Sequence, residues 1–120
     1  MNESEARLRS LVDRMLREAA AAERYLAGGK ARFFDIRTPE FRDSVELRAL
    51  HFVETGTRTG QSFRKANPSI PWDDIDQIRN DLVHEYPEVK AERVWKFVHD
   101  DLPSIVAKLK RARFPTDANK

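Results

Sequence analysis

The sequence predicts an all-α fold, an up-and-down bundle of four to five helices. Apolar residues recur at three- and four-residue steps along most of the chain, and no stretch alternates convincingly with period two. Proline, glycine and asparagine cluster at a few points, dividing the periodic runs into separate helices. At 120 residues there is room for one core. A single helical domain is expected at 1–110, followed by a polar, frayed tail at 111–120. Hydrophobic residues make up 40% and charged residues 35%, the latter mixed in sign, which suits a packed helical bundle with a solvated surface.

The first helix is expected from Glu3 to Leu26. Leu8, Leu11, Val12, Met15, Leu16, Ala19, Ala22 and Leu26 form one apolar stripe, Asn2 or Ser4 can cap the start, and Gly28-Gly29 supplies the stop. The alanines Ala19 to Ala22 favour close approach of a neighbouring helix. GGKARFFDIRTP reads as a connection anchored to the core by Phe33 and Phe34.

Thr38-Pro39 reads as a cap followed by proline at the first helical position. From there Phe41, Val45, Ala49, Phe52, Val53, Gly56, Gly60 and Phe63 make a second stripe. Each glycine weakens a helix by about 1 kcal/mol relative to alanine. These two either admit a close neighbour or mark a bend. Asn67-Pro68 ends that helix, and Pro71 restarts the chain with Asp73, Asp74 and Asp76 in a first turn. Ile75, Ile78 and Leu82 carry this helix to about Tyr86, where Pro87 discourages continuation. The last helix begins near Lys90 and carries Val94, Trp95, Val98, Leu102, Ile105 and Leu109. Pro103 lies inside that pattern and predicts a kink.

Composition excludes several chemistries. The chain has no cysteine, hence no disulfides, thiol nucleophiles or cysteine-ligated zinc. No histidine–carboxylate spacing resembles a metal site, and GTRTGQS lacks the strand and lysine of a phosphate loop, so no metal or cofactor is expected. No run of 18 apolar residues occurs, and MNESEARLRS lacks a signal peptide's hydrophobic stretch, so a soluble, cytoplasmic protein without membrane contact is expected. The net charge of +2, with a pI near 9.1, permits contact with nucleic acid without requiring it.

The tight cluster of chemically versatile groups is RNDLVHEY: Arg79, His84 and Tyr86. Arginine is a permanent cation with a planar fork of donors, suited to a phosphate and to the charge that builds on it during transfer. Histidine can take a proton from a hydroxyl or give one to a leaving oxygen. A phenol can hydrogen-bond a phosphate or itself be modified. Together they suit cleavage of RNA by attack of the 2′-hydroxyl on the adjacent phosphorus, leaving a cyclic phosphate. At 100° per residue, Arg79 and Tyr86 share one stripe with Val83, while His84 lies about 140° round the helix from Arg79. One straight helix therefore cannot aim all three at a single phosphate. Either the last turn before Pro87 unwinds, or the site is assembled across a two-fold axis. A homodimer is expected, because it supplies a second histidine, one acting as base and one as acid.

Plainer readings stand beside this one. Arg79 could pair with an aspartate such as Asp76, and His84 and Tyr86 could cap and pack a helix end. His51 reads as a partly buried helix residue, and His99 as a solvated one paired with Asp100 or Asp101. Trp72 and Trp95 read as core or interface anchors. Arg7, Arg14, Arg17 and Arg24 read as a solvated face, with an RNA track as the alternative.

The run IPWDDIDQIRNDLVHEYPEV, followed by VW and DLPSI, resembles the HepT-like branch of the HEPN superfamily, whose signature is arginine, four residues, histidine, any residue, tyrosine. Here these are Arg79, Asn80 to Val83, His84, Glu85 and Tyr86; Asn80, Pro71-Trp72 and Trp95 also follow the family habit. The likeness is good over residues 67–109, and over the first helix extends only to length and character. It implies a dimeric, metal-independent ribonuclease acting as the toxin of a toxin–antitoxin pair. The implied partner is a nucleotidyltransferase antitoxin able to transfer AMP to the motif tyrosine, here Tyr86. On this resemblance Arg79 and His84 are catalytic, Tyr86 is the phosphate contact and modification site, and Asn80 orients them. One departure is the middle helix. An isoleucine-glycine-glutamate-alanine stretch is common in the family, whereas this chain has Val53-Glu54-Thr55-Gly56. Glu54 either replaces the acidic group at a shifted register or that role is lost. The alternative reading is a non-catalytic HEPN-type scaffold that binds nucleotide, RNA or a partner protein.

Overall fold

Asn2 Oδ1 accepts a hydrogen bond from the Glu5 N–H at 2.7 Å and so caps the 24-residue helix α1 (Glu3–Leu26). The computed structural model describes residues 2–84 and 86–115. Helix α1 buries Leu8, Leu11, Val12, Met15, Ala19, Ala22 and Leu26, the face its periodicity marks. After Gly28-Gly29 comes the single turn α2 (Lys30–Phe33). Phe33 is buried; its ring centroid lies 4.8 Å from that of Phe34 and 5.5 Å from that of Trp95, so aromatic contacts pin this connection as expected.

Helix α3 (Pro39–Thr57) runs antiparallel to α1, its principal packing partner. Their ends meet where Arg7 Nη2 donates to the Arg58 carbonyl at 2.8 Å. Their middles meet where Glu18, Arg48 and His51 form a half-buried cluster. The two glycines divide the roles expected of them. A Cβ on Gly56 would stand 3.1 Å from Met15 Cε, so this glycine admits a neighbouring helix. Gly60 has φ +86°, outside helical space, and separates two helices within the stripe. What the periodicity presents as one helix is therefore α3 and a separate α4 (Gln61–Ala66).

Helix α5 (Trp72–His84) follows, with Ile75, Ile78 and Leu82 facing the core. Helix α6 (Pro87–Lys96) starts three residues before the expected Lys90, because Pro87 fits a first helical turn. The kink expected at Pro103 takes the form of a π-helical turn, Phe97–Asp101, leading into α7 (Leu102–Lys110). Proline has no N–H and its ring crowds the carbonyl four residues back; widening the preceding turn, with Leu102 N bonded to Phe97 O, accommodates both. With α6, the π turn and α7 forming one continuous rod, the described residues make a four-rod bundle with two short helices and no strand. Phe52, Phe63, Phe97, Met15 and Ile75 fill its centre.

The start of the expected polar tail is held in place. Phe114 packs on Phe63 at 5.5 Å, and Asn67 exchanges hydrogen bonds of 2.8 Å with both the N–H and the carbonyl of Arg113. Residues 116–120 lie outside the described residues. No helix among the described residues is long and apolar enough to cross a membrane.

Candidate functional site

Helix α5 carries three of the four candidate residues. Arg79 and Asn80 lie midway along it, and His84 is its last helical residue. All three are exposed. Tyr86 sits beyond the helix end in extended backbone (φ −65°, ψ 152°), capping α6, and is 80% exposed. A residue before proline is driven out of the α region, which is why the helix stops here. Of the two geometries open to the motif, the described residues bear on the first: α5 is helical through His84, and Tyr86 has left the helical region. The stripe expected to join Arg79 to Tyr86 ends before Tyr86, and that expectation is corrected. Glu85, between the two ends, lies outside the described residues.

Arg79 and Asn80 open into a cleft of about 330 Å³ between α5 and the α3–α4 turn. The turn contributes Thr57, Gly60 and Gln61, and Arg64 and Asp76 line the remaining side. Asn80 and His84 are one turn apart, on one face and about 6 Å along the axis, so Asn80 stands between the cleft and the histidine. Arg79 and Asn80 are therefore brought together. His84 and Tyr86 lie off the cleft, towards the open end of α5.

The pairing considered for Arg79 is also corrected. Asp76 is held by Arg64, whose two terminal nitrogens reach its two oxygens at 2.8 and 2.9 Å. The Arg64 hydrogen bonds hold the Asp76 carboxyl below its usual value, and the charges of Arg64 and Arg79 add to this. Arg64 in turn is raised by its hydrogen bonds to Asp76. Among the described residues, Arg79 has no hydrogen-bond or ion-pair partner, and neither has Asn80 or His84. The sequence does not single out Arg64, because a pair twelve residues apart on different helices leaves no periodic trace.

The other histidines are held as their positions suggest. His51 Nδ1 lies 2.7 Å from Glu18 Oε2, with Arg48 on the other oxygen at 2.9 Å. His99 stacks on Trp95 and lies 2.7 Å from Asp100 Oδ1. Among the described residues no three His, Asp or Glu side chains come together in a way that could hold a metal ion.

The bundle and the Arg-x4-His-x-Tyr motif at the α5–α6 junction define an all-α protein of HEPN type. The chain belongs to the ribonuclease HepT-like family, whose profile matches residues 15–112. A protein of Thermococcus cleftensis named as a ribonuclease HepT is 32% identical over 68 residues, 56% of this chain and 62% of that one. A protein of Methanocaldococcus jannaschii named as an RNase is 33% identical over 60 residues, 49% of this chain and 55% of that one. A third, from Caldanaerobacter subterraneus and also named as an RNase, is 26% identical over 65 residues, 53% and 58% of the two chains. The matched region spans less than two thirds of each relative. No solved structure gave a significant match.

Proposed function

We propose that this chain is an endoribonuclease and the toxin of a toxin–antitoxin pair, cutting RNA without a metal. The observation that carries the reading is Arg79, unpaired among the described residues, at the mouth of a cleft, with an exposed histidine little more than a turn further along the same helix. Arg79 binds the scissile phosphate and offsets the charge that grows on its oxygens. His84 of one protomer takes the proton of the 2′-hydroxyl as its oxygen bonds to phosphorus. His84 of the second protomer protonates the 5′-oxygen as its bond to phosphorus breaks, leaving a 2′,3′-cyclic phosphate. The homodimer follows from this need for two histidines. Asn80, one turn from His84, orients the imidazole or the ribose.

Tyr86 contacts the phosphate and is the residue that a nucleotidyltransferase antitoxin modifies. Its 80% exposure, in extended backbone at the start of α6, leaves the phenol open to a second active site. AMP there adds bulk and negative charge at the end of α5, on the approach to the Arg79 cleft, so modification and substrate compete.

The test is the His84→Ala chain, checked for helical content and for its effect on growth. Loss of both RNA cleavage and toxicity in a folded protein is the expected result. Unchanged toxicity would sink the enzyme reading and leave a binding scaffold in its place.

A further inference from the structure

A second groove lies on the other side of the α3–α4 turn. It has a volume of about 420 Å³ and is lined by Arg7, Ser10, Leu11, Arg14 and Arg17 of α1 together with Arg58. At 100° per residue Arg7, Arg14 and Arg17 fall within an arc of about 80° on α1, so the three guanidinium groups share one face. Arg7 is fixed there by its 2.8 Å hydrogen bond to the Arg58 carbonyl.

The pairing pattern separates these arginines from most of the others. Arg9, Arg37, Arg42, Arg48, Arg64 and Arg93 each have a carboxylate within ion-pair distance. Arg7, Arg14, Arg17 and Arg58 pair with no carboxylate among the described residues, and no acidic side chain lines their groove. With a net charge of only +2, the chain is not basic everywhere. Four of the arginines without a carboxylate partner among the described residues line this one groove. Like charges held together repel, and a bound polyanion removes that repulsion while releasing its own counterions.

We propose that this groove is a track for the phosphate backbone of single-stranded RNA, leading the strand into the Arg79 cleft. The proposal rests on the ribonuclease reading and extends it to how substrate is held away from the cut. Three features favour an RNA backbone over an acidic protein segment. Arginine forks match phosphate oxygens two at a time. The groove has no aromatic side chain for a base to stack on, so contacts fall on the backbone and carry no sequence preference. It also flanks the same turn as the cleft: Thr57 lines the Arg79 side and Arg58, the next residue, lines the arginine side. A strand crossing this one turn passes from one set of arginines to the other.

The experiment compares two charge reversals of equal size in the full-length chain, each also carrying His84→Ala so that RNA stays uncut. One is Arg14→Glu with Arg17→Glu, inside the groove. The control is Arg37→Glu with Arg111→Glu, two exposed residues outside it. Binding of a labelled single-stranded RNA of about 12 nucleotides is followed by fluorescence anisotropy across a salt series, with circular dichroism to verify folding. The groove variant is expected to lose at least about tenfold in affinity, with the logarithmic salt slope shallower by about two, and the control far less. Equal losses in both variants, or no loss in the groove variant, overturn the track. The same substitutions with His84 restored distinguish the two levels of the argument. A parent chain that neither binds nor cuts RNA removes the ribonuclease reading and the track with it. A parent that cuts RNA, beside a groove variant that binds and cuts equally well, removes the track alone.

Discussion

Arg64 grips both oxygens of Asp76, at 2.8 and 2.9 Å, and thereby withholds from Arg79 a carboxylate spaced to neutralise it. Residues three and four apart are neighbours on a helix surface, and Asp76 is the acidic residue at that spacing from Arg79 on α5. Arg64 is itself braced, with its guanidinium carbon 5.1 Å from the Trp72 ring centroid. A structural ion pair beside the cleft thus keeps the neighbouring arginine available for an anionic ligand.

That relationship predicts an unusual rescue. Arg64→Met frees Asp76 to swing towards Arg79, and RNA binding should weaken by up to about fivefold, the scale of one exposed ion pair. Adding Asp76→Asn removes the competing charge and should return most of the loss. Binding titrations on the two variants, with the His84→Ala change to prevent cleavage, decide it. Failure of the second substitution to restore binding would mean that Arg64 contacts RNA itself.

The residue types of the candidate site are legible in the sequence and their arrangement only partly so. Arg79, Asn80 and His84 share a helix whose ends are marked by Pro71 and Pro87, and helical angles alone separate the arginine from the histidine. Tyr86 escaped that treatment because its own neighbour, Pro87, removes it from the helix. The pairing of Asp76 escaped too. Helical spacing offers Arg79 as a partner, but α4 delivers Arg64 from across the cleft.

Asn67 is the second residue whose role depends on distant chain. Its composition-level reading is a helix breaker before Pro68. In the fold it is buried, donates to the Phe63 and Arg113 carbonyls at 2.9 and 2.8 Å, and accepts from the Arg113 N–H. Its own carbonyl receives the Trp72 indole N–H at 3.0 Å. Asn67→Ala should cost about 1–3 kcal/mol by leaving these buried groups without partners, and should release the Phe114 segment. The midpoint of urea unfolding measures the first effect, and faster hydrogen exchange at Arg113 the second.

Gly60 explains why one apolar stripe becomes two helices. Periodicity records which faces are apolar and is blind to a single residue at φ +86°, so Phe63 continues the pattern of α3 while belonging to α4. Any side chain at this position strains the turn, although the space around it is open. With ψ at 170°, Gly60 lies in a region almost reserved for glycine, and Gly60→Ala should destabilise the fold by about 1–3 kcal/mol. Because Thr57 and Arg58 flank the same turn, RNA affinity should fall as well. Thermal unfolding monitored by circular dichroism, run beside the binding assay, tests both.

A last prediction concerns pH and a residue outside both grooves. Glu46 of α3 is largely buried. Lys90 and Arg42 stand 3.8 Å from its oxygens, too far to hydrogen-bond well. Burial raises its carboxyl above the usual value more than these two cations lower it, and Asp43 pushes the same way as burial. A carboxyl raised in the folded state binds its proton more tightly there than in the unfolded chain. Its stabilising effect is complete below the unfolded value and is lost as pH rises through the folded one. Glu46→Gln abolishes this titration. The variant should match the parent in acid and exceed it at neutral pH, by no more than about 1 kcal/mol. Unfolding free energies from pH 3 to 8 make the comparison. A variant less stable than the parent at neutral pH would mean that the long contacts to Lys90 and Arg42 outweigh the cost of burying the charge.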